Sequence, residues 1–198
     1  MIFSRCSRAD GIAYPSNAEA MAAVSRTPVL ALMALLVAAM HLGCTTAHLV
    51  DNRYQDEHVS YTIGQPGAGW VQMRLETANV AWHHPDLAAG MFLNSTCGGV
   101  QDAPLIGLSN ELLIGSTERE ILQQEVMPWS HREALETVVA CKLDGVARKR
   151  ILFVIKKDGC VYDLVYDASP EHFDEGLAAY RAVRDGLDIA ARRDRTGS

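Results

Sequence analysis

Apolar positions keep three rhythms along the chain. The first is an unbroken run, PVLALMALLVAAM from Pro28 to Met40, with no charge in it. The second is alternation. Trp70 to Leu75, WVQMRL, alternates as a strand does, and the glycine-rich GQPGAG before it reads as a turn, since a phosphate cradle needs a helix immediately after it. Asn79 to Trp82 and Gly90 to Ser95 are two further apolar runs joined by HHPDLAA, a hairpin whose loop contains Pro85. The clearest alternation lies in Glu133 to Asp167, where EALETVVACKL, VARKRILFVIKK and CVYDLVYD are divided by Asp144-Gly145 and Asp158-Gly159. Asp-Gly favours a two-residue type I′ turn because both central residues need positive φ. The spacing predicts an antiparallel meander with Leu143 facing Val146, Cys141 facing Arg148, Lys157 facing Cys160 and Ile155 facing Tyr162. Val138, Ile151, Phe153, Ile155, Cys160, Leu164 and Tyr166 then share one face, and Leu135, Val139, Cys141, Leu152, Val154 and Val165 the other. Both faces are apolar, so both need cover.

The third rhythm supplies it. Leu105, Leu108, Leu112 and Leu113 fall on one side of a helix that Pro104 opens and Gly115 stops. Thr117 and Glu120 have capping-box spacing, which predicts a short helical turn before Glu125 and an extended segment to Met127. Ser169-Pro170-Glu171 combines a cap, a first-position proline and an acidic first turn, and Phe173, Leu177, Tyr180, Val183 and Leu187 carry an apolar stripe to about Ile189. The expected fold class is α+β: an antiparallel sheet with helices packed on its faces.

The unbroken run is not part of that fold. Its 13 residues fall short of the roughly 20 that cross a bilayer core, and Arg26 before it with small residues after it gives the order of a secretory signal. Met21 begins a signal of ordinary proportions, so it is a candidate true start. Leu42, Gly43 and Cys44 resemble the end of the bacterial lipoprotein signal, whose cysteine carries the lipid; His41 stands where that family usually has an aliphatic residue. The resemblance implies lipidation at Cys44, a membrane anchor and an envelope location. The expected organisation is a signal region over 1–43, a lipidated polar tether over 44–60, one domain over 61–190 and a frayed tail over 191–198.

The chain has 198 residues, with 18 Lys plus Arg against 24 Asp plus Glu and a net charge of -6, which argues against a nucleic-acid partner. The basic cluster Arg148, Lys149, Arg150, Lys156 and Lys157 reads as a solvated strand edge or a phosphate site. Beyond Cys44 the cysteines are Cys97, Cys141 and Cys160, an odd number for an oxidising compartment. Cys97 to Cys141 is the first-choice bridge, and Cys141 to Cys160 is disfavoured because the two fall on opposite faces of the meander.

The order of strands, helix, meander and closing helix, with REALETVVACKLDG, KKDGCVYDLVY and SPEHFDEGLAAYRAV, resembles the α/β/α sandwich of PsbP and Mog1-like proteins. These phrases and NSTCGGVQDAPL also resemble uncharacterised bacterial envelope lipoproteins. The resemblance to PsbP and Mog1-like proteins implies a protein that binds or supports a partner; neither resemblance supplies a motif residue to carry over.

Candidate chemistry centres on Cys97 in NSTCGG. As a nucleophile it would need a base such as His131 with Asp144, or His83 with His84; as a structural cysteine it needs only a partner sulfur. His83, His84, Asp86, His131 and His172 are candidate metal ligands without the spacing of a zinc site. Asn94 in NST fits a glycosylation triplet, and Trp70, Trp82, Trp129, Tyr162 and Tyr166 read as core or as the lining of a groove. No catalytic set, metal or cofactor is assigned. The expected function is a membrane-tethered, non-catalytic binding or assembly accessory of the bacterial envelope, with an envelope protein as partner. The alternatives are a thiol-dependent hydrolase using Cys97 and a small-ligand carrier.

Overall fold

The computed structural model describes residues 48–98 and 103–190. Its strands are β1 (His48–Val50), β2 (Arg53–Gln55), β3 (Ser60–Thr62), β4 (Val71–Met73), β5 (Val80–His84), β6 (Ala89–Cys97), β7 (Ser116–Trp129), β8 (Arg132–Leu143), β9 (Val146–Lys157), β10 (Cys160–Ala168) and β11 (Asp188–Ile189). Helix α1 (Leu105–Glu111) stands between β6 and β7, and α2 (Leu177–Asp185) between β10 and β11. An antiparallel seven-stranded sheet runs β4-β5-β6-β10-β9-β8-β7, and a four-stranded sheet runs β1-β2-β3-β11.

The meander forms in the predicted register: Leu143 pairs with Val146, Cys141 with Arg148, Cys160 with Lys157 and Tyr162 with Ile155. Asp144-Gly145 and Asp158-Gly159 all take positive φ, as type I′ turns require. Two further two-residue turns work the same way. Ser130 and His131, at φ 45° and 64°, join β7 to β8, and Asp51 and Asn52, at φ 49° and 65°, join β1 to β2.

Both faces are covered. Under α2 and the small sheet, Phe153, Tyr166, Leu164 and Ile155 pack with Tyr61, Tyr180, Val183 and Leu187 into one large core. Under α1, Leu113 packs with Val139, Cys141, Leu152 and Val165, while Leu108 packs with Val154 and Val161. Each large side chain buried in this way is worth about 1.5–3 kcal/mol. Gly64 and Gly186 let the backbone beyond β3 close on the end of α2: Gly64 N–H donates to the Val183 carbonyl at 3.2 Å, and a Cβ at Gly64 would overlap the Ala182 carbonyl.

Three expectations are corrected. The domain does not begin at Tyr61, because residues from His48 already form the β1–β2 hairpin, with Tyr54 buried and stacked on Tyr61 at 5.0 Å. The stretch read as a tether is thus structured over 48–60. Thr117 and Glu120 cap no helix; β7 extends through them, with register shifts on either side of Glu120–Ile121 that absorb the turn-like spacing into bulges. The closing helix starts at Leu177 rather than near Pro170, since the Tyr166 hydroxyl takes the Phe173 carbonyl at 2.8 Å and Leu177 N–H donates to Asp174 instead. It ends at Asp185, and Ile189 pairs with Tyr61 as a strand.

Candidate functional site

Cys97 ends β6, and β6 pairs with β10 in a register that sets Cys97 directly opposite Cys160. Their sulfurs are joined, with Cα atoms 4.1 Å apart, and Cys141 is a free, buried cysteine. The preferred Cys97–Cys141 bridge is therefore replaced by Cys97–Cys160. Cys141 lies on β8 and on the α1 face, with β9 between its strand and the β6–β10 pair. The same bond removes the thiolate that a Cys97 hydrolase would need. The opposite-face assignment of Cys141 and Cys160 holds, and what the sequence did not supply was the β6–β10 pairing.

The histidines scatter. His83 and His84 are successive residues of β5, and the His84 ring meets Trp70 edge-on at 5.5 Å. His131 sits in the β7–β8 turn, and His172 Nδ1 lies 2.8 Å from Glu175 Oε1 before α2. Among the described residues no three His, Cys, Asp or Glu side chains converge on a metal position. Asn94 lies within β6 opposite Asp163.

The basic cluster belongs to β9, an interior strand, so it is not an edge. Arg148 and Arg150 both pair with Asp167 on β10, and Arg150 also donates to the Leu112 carbonyl at 3.1 Å. Lys156 donates to the Ala103 carbonyl at 2.7 Å and Lys157 to Ile189 at 2.6 Å. Lys149 Nζ lies 4.2 Å from the centre of the Phe173 ring. These cations fasten the covering segments to the sheet.

Two clefts remain. Beneath α2, a cavity of about 320 Å³ is lined by Glu136, Lys149, Phe173, Tyr180, Arg181 and Arg184 among others. Glu136 accepts from the Tyr180 hydroxyl at 2.6 Å and from Arg184 Nη1 at 2.8 Å. Burial, then the Glu136 charge and hydrogen bond, push the Tyr180 hydroxyl well above its usual range. Burial opposes the Arg184 charge, but hydrogen bonds to Glu136 and Asp185 outweigh it and raise its pKa. Tyr180 stays protonated and Arg184 charged near neutral pH, so both hold Glu136 and clamp α2 to β8.

The second cleft, about 420 Å³, lies between α1 and the β7–β8 hairpin, lined by Leu105, Ile106, Gln124, Val126, Glu133 and Leu135. Ser109 donates to Thr137 Oγ1 at 3.3 Å and Gln124 donates to the same oxygen at 3.0 Å, so a polar chain crosses from α1 through β8 to β7. Ile106 and Val126 are 50% and 57% exposed on this side. On the same face, Asp163 carries a buried Oδ1 without a hydrogen-bond partner among the described residues. Burial, then the Glu111 charge, pushes its carboxyl up to about 7. Sequence reasoning missed this cleft because it read the start of β7 as helical; the alternation of Gln124 and Val126 was its available signal.

No protein-family model and no curated protein matches the chain. Solved structures share its fold, an α+β sandwich of the PsbP type. CyanoP, the cyanobacterial PsbP from Synechocystis sp. PCC 6803, is 11% identical over 76% of this chain and 96% of its own, with a TM-score of 0.50. LpqN, involved in cell envelope biogenesis of Mycobacterium tuberculosis, is 16% identical over 68% of this chain and 86% of its own, also at 0.50. At these identities the likeness is one of fold. Leu42, Gly43, Cys44 and Met21, which carry the lipoprotein resemblance, lie outside the described residues, as does the tail over 191–198.

Proposed function

We propose that the chain is a lipoprotein of the bacterial envelope, fastened to a membrane through Cys44, that acts by binding a protein partner without turning over a substrate. The observation that carries this reading is the Cys97–Cys160 bridge. A disulfide between neighbouring strands fits an exported, oxidising location, and it takes the best nucleophile candidate out of use. The charge-free run before Leu42-Gly43-Cys44 supports the same location. The shared fold of LpqN, which is involved in cell envelope biogenesis, is consistent with it. Metabolic labelling with a fatty-acid analogue tests the anchor: the chain takes up label and Cys44→Ala does not. Equal labelling of both forms ends the claim.

A small-ligand carrier is the second reading, favoured by the cavity under α2, where Lys149 and Arg181 flank an apolar floor of Val138 and Ile151. Calorimetric titration with small carboxylates separates the two. Heat that vanishes in Lys149→Ala would favour the carrier.

A further inference from the structure

We propose that β7 accepts an extended, lysine- or arginine-bearing segment of a partner protein as an eighth strand, with that segment's apolar side chains entering the cleft between α1 and β8. This rests on the reading that the chain acts by binding, and it names the surface and the chemistry of the partner.

The seven-stranded sheet has two edges. β4 is three residues long, while β7 has 14, of which only Ser116 is buried. An edge strand turns alternate N–H and C=O groups outward, ready to pair with another chain. Proteins blunt such edges with bulges and proline, and β7 has both at its ends: register shifts between Thr117 and Gln123, and Pro128. Between them, Gln123 to Met127 pairs with β8 in an unbroken ladder that runs from Val138 to Ala134. That open window lies beside the cleft that exposes Ile106 and Val126. A strand added there would place every second side chain on the cleft side.

Charge selects the occupant. Among the described residues no ion pair engages Glu120, Glu125 or Glu133, while Glu118 holds Lys142 at 2.8 Å; against these three carboxylates stand two cations, Arg119 and Arg132, that no ion pair engages either. The surplus on and beside β7 is therefore negative. Basic residues between the apolar ones of an incoming strand would meet Glu125, which pairs with Glu136 on the face away from the cleft, and Glu120 further along β7, while Glu133 lines the cleft itself; a second copy of this chain would bring the same carboxylates against themselves.

The test uses short fluorescent peptides of alternating valine and lysine, or of valine and glutamate, titrated into the purified full chain at low salt, with amide hydrogen exchange as a second readout. The valine-lysine peptide is expected to bind at least about tenfold tighter than the valine-glutamate one, and to slow exchange at Gln123 to Met127. Reversing Glu120, Glu125 and Glu133 to lysine should invert the preference, and Ile106→Asp should weaken either peptide with the melting temperature unchanged. Equal binding of the two peptides, or protection confined to α2, overturns the proposal. So does protection of β7 that grows with protein concentration alone, which would make a second copy the occupant. A chain that is lipidated yet meets its partner through α2 would remove this inference and leave the binding reading standing.

Discussion

The two faces of the seven-stranded sheet solve the same problem differently. Under α2 and the small sheet, one apolar core holds two runs of ring contacts, Tyr54–Tyr61–Tyr162 and Phe173–Tyr166–Tyr180, with the Tyr166 and Tyr180 hydroxyls hydrogen-bonded and that of Tyr61 buried without a partner among the described residues. Under α1, a helix of seven residues meets two smaller apolar clusters. It shares its face with an Arg148–Asp167–Arg150 ion triad, the buried Asp163 carboxyl and an open cleft. Both faces keep a cleft and ion pairs, but the α2 face is filled mainly by aromatic side chains, whereas the α1 cleft is bordered by the exposed apolar side chains of Ile106 and Val126, surface that another molecule can cover.

The largest expected effects separate these modes of closure. Phe153→Ala, in the aromatic core, should cost about 3–5 kcal/mol in chemical denaturation. On the opposite face, Asp167→Ala should cost about 3 kcal/mol, because it leaves two largely buried guanidinium groups without their carboxylate. A cost near zero there would mean that the triad is not what holds the α1 face.

Next comes the bridge between β6 and β10. Replacing Cys97 and Cys160 with serine should lower stability by about 2–4 kcal/mol, with the melting temperature of wild type falling to match under reductant. Peptide mapping without reduction should find Cys97 linked to Cys160 and Cys141 as a free thiol.

Asp163 gives a smaller, pH-dependent effect. Its folded pKa of about 7 lies above the unfolded value, so the folded state binds the extra proton in between. Stability from this group is full below about pH 4 and is lost as pH rises through about 7. Asp163→Asn should therefore stabilise the protein by about 1–3 kcal/mol at pH 8, and the gain should vanish near pH 4. A gain that does not change with pH would show the carboxyl to be unshifted. The smallest effect is expected at the open margin. Val126→Ala should change stability by less than about 0.5 kcal/mol, since the side chain is 57% exposed.

The same contrast governs what the sequence disclosed. The β8–β9–β10 meander was legible to the residue because Asp-Gly turns fix register and alternation fixes the faces. The apolar stripe through Tyr180 and Val183 was legible too, though not the start of α2, because a hydroxyl on β10 decides where the Phe173 carbonyl goes. Asp51-Asn52 between two short polar strands carries a type I′ signal without the glycine that makes it conspicuous, and the strands bury little besides Tyr54. At the site, the disulfide depended on a long-range pairing of β6 with β10 that no local pattern encodes. The capping-box spacing of Thr117 and Glu120 concealed the edge strand, since a bulged strand satisfies the same local chemistry.

The most direct test of the central claim is photo-crosslinking in living cells, with a photoreactive residue placed at Val126 beside the β7 edge or at Arg181 on α2. The account predicts one discrete protein adduct from position 126, lost when Glu120, Glu125 and Glu133 are reversed to lysine, and none from position 181. An adduct from position 181 alone, or from position 126 regardless of those charges, would contradict it.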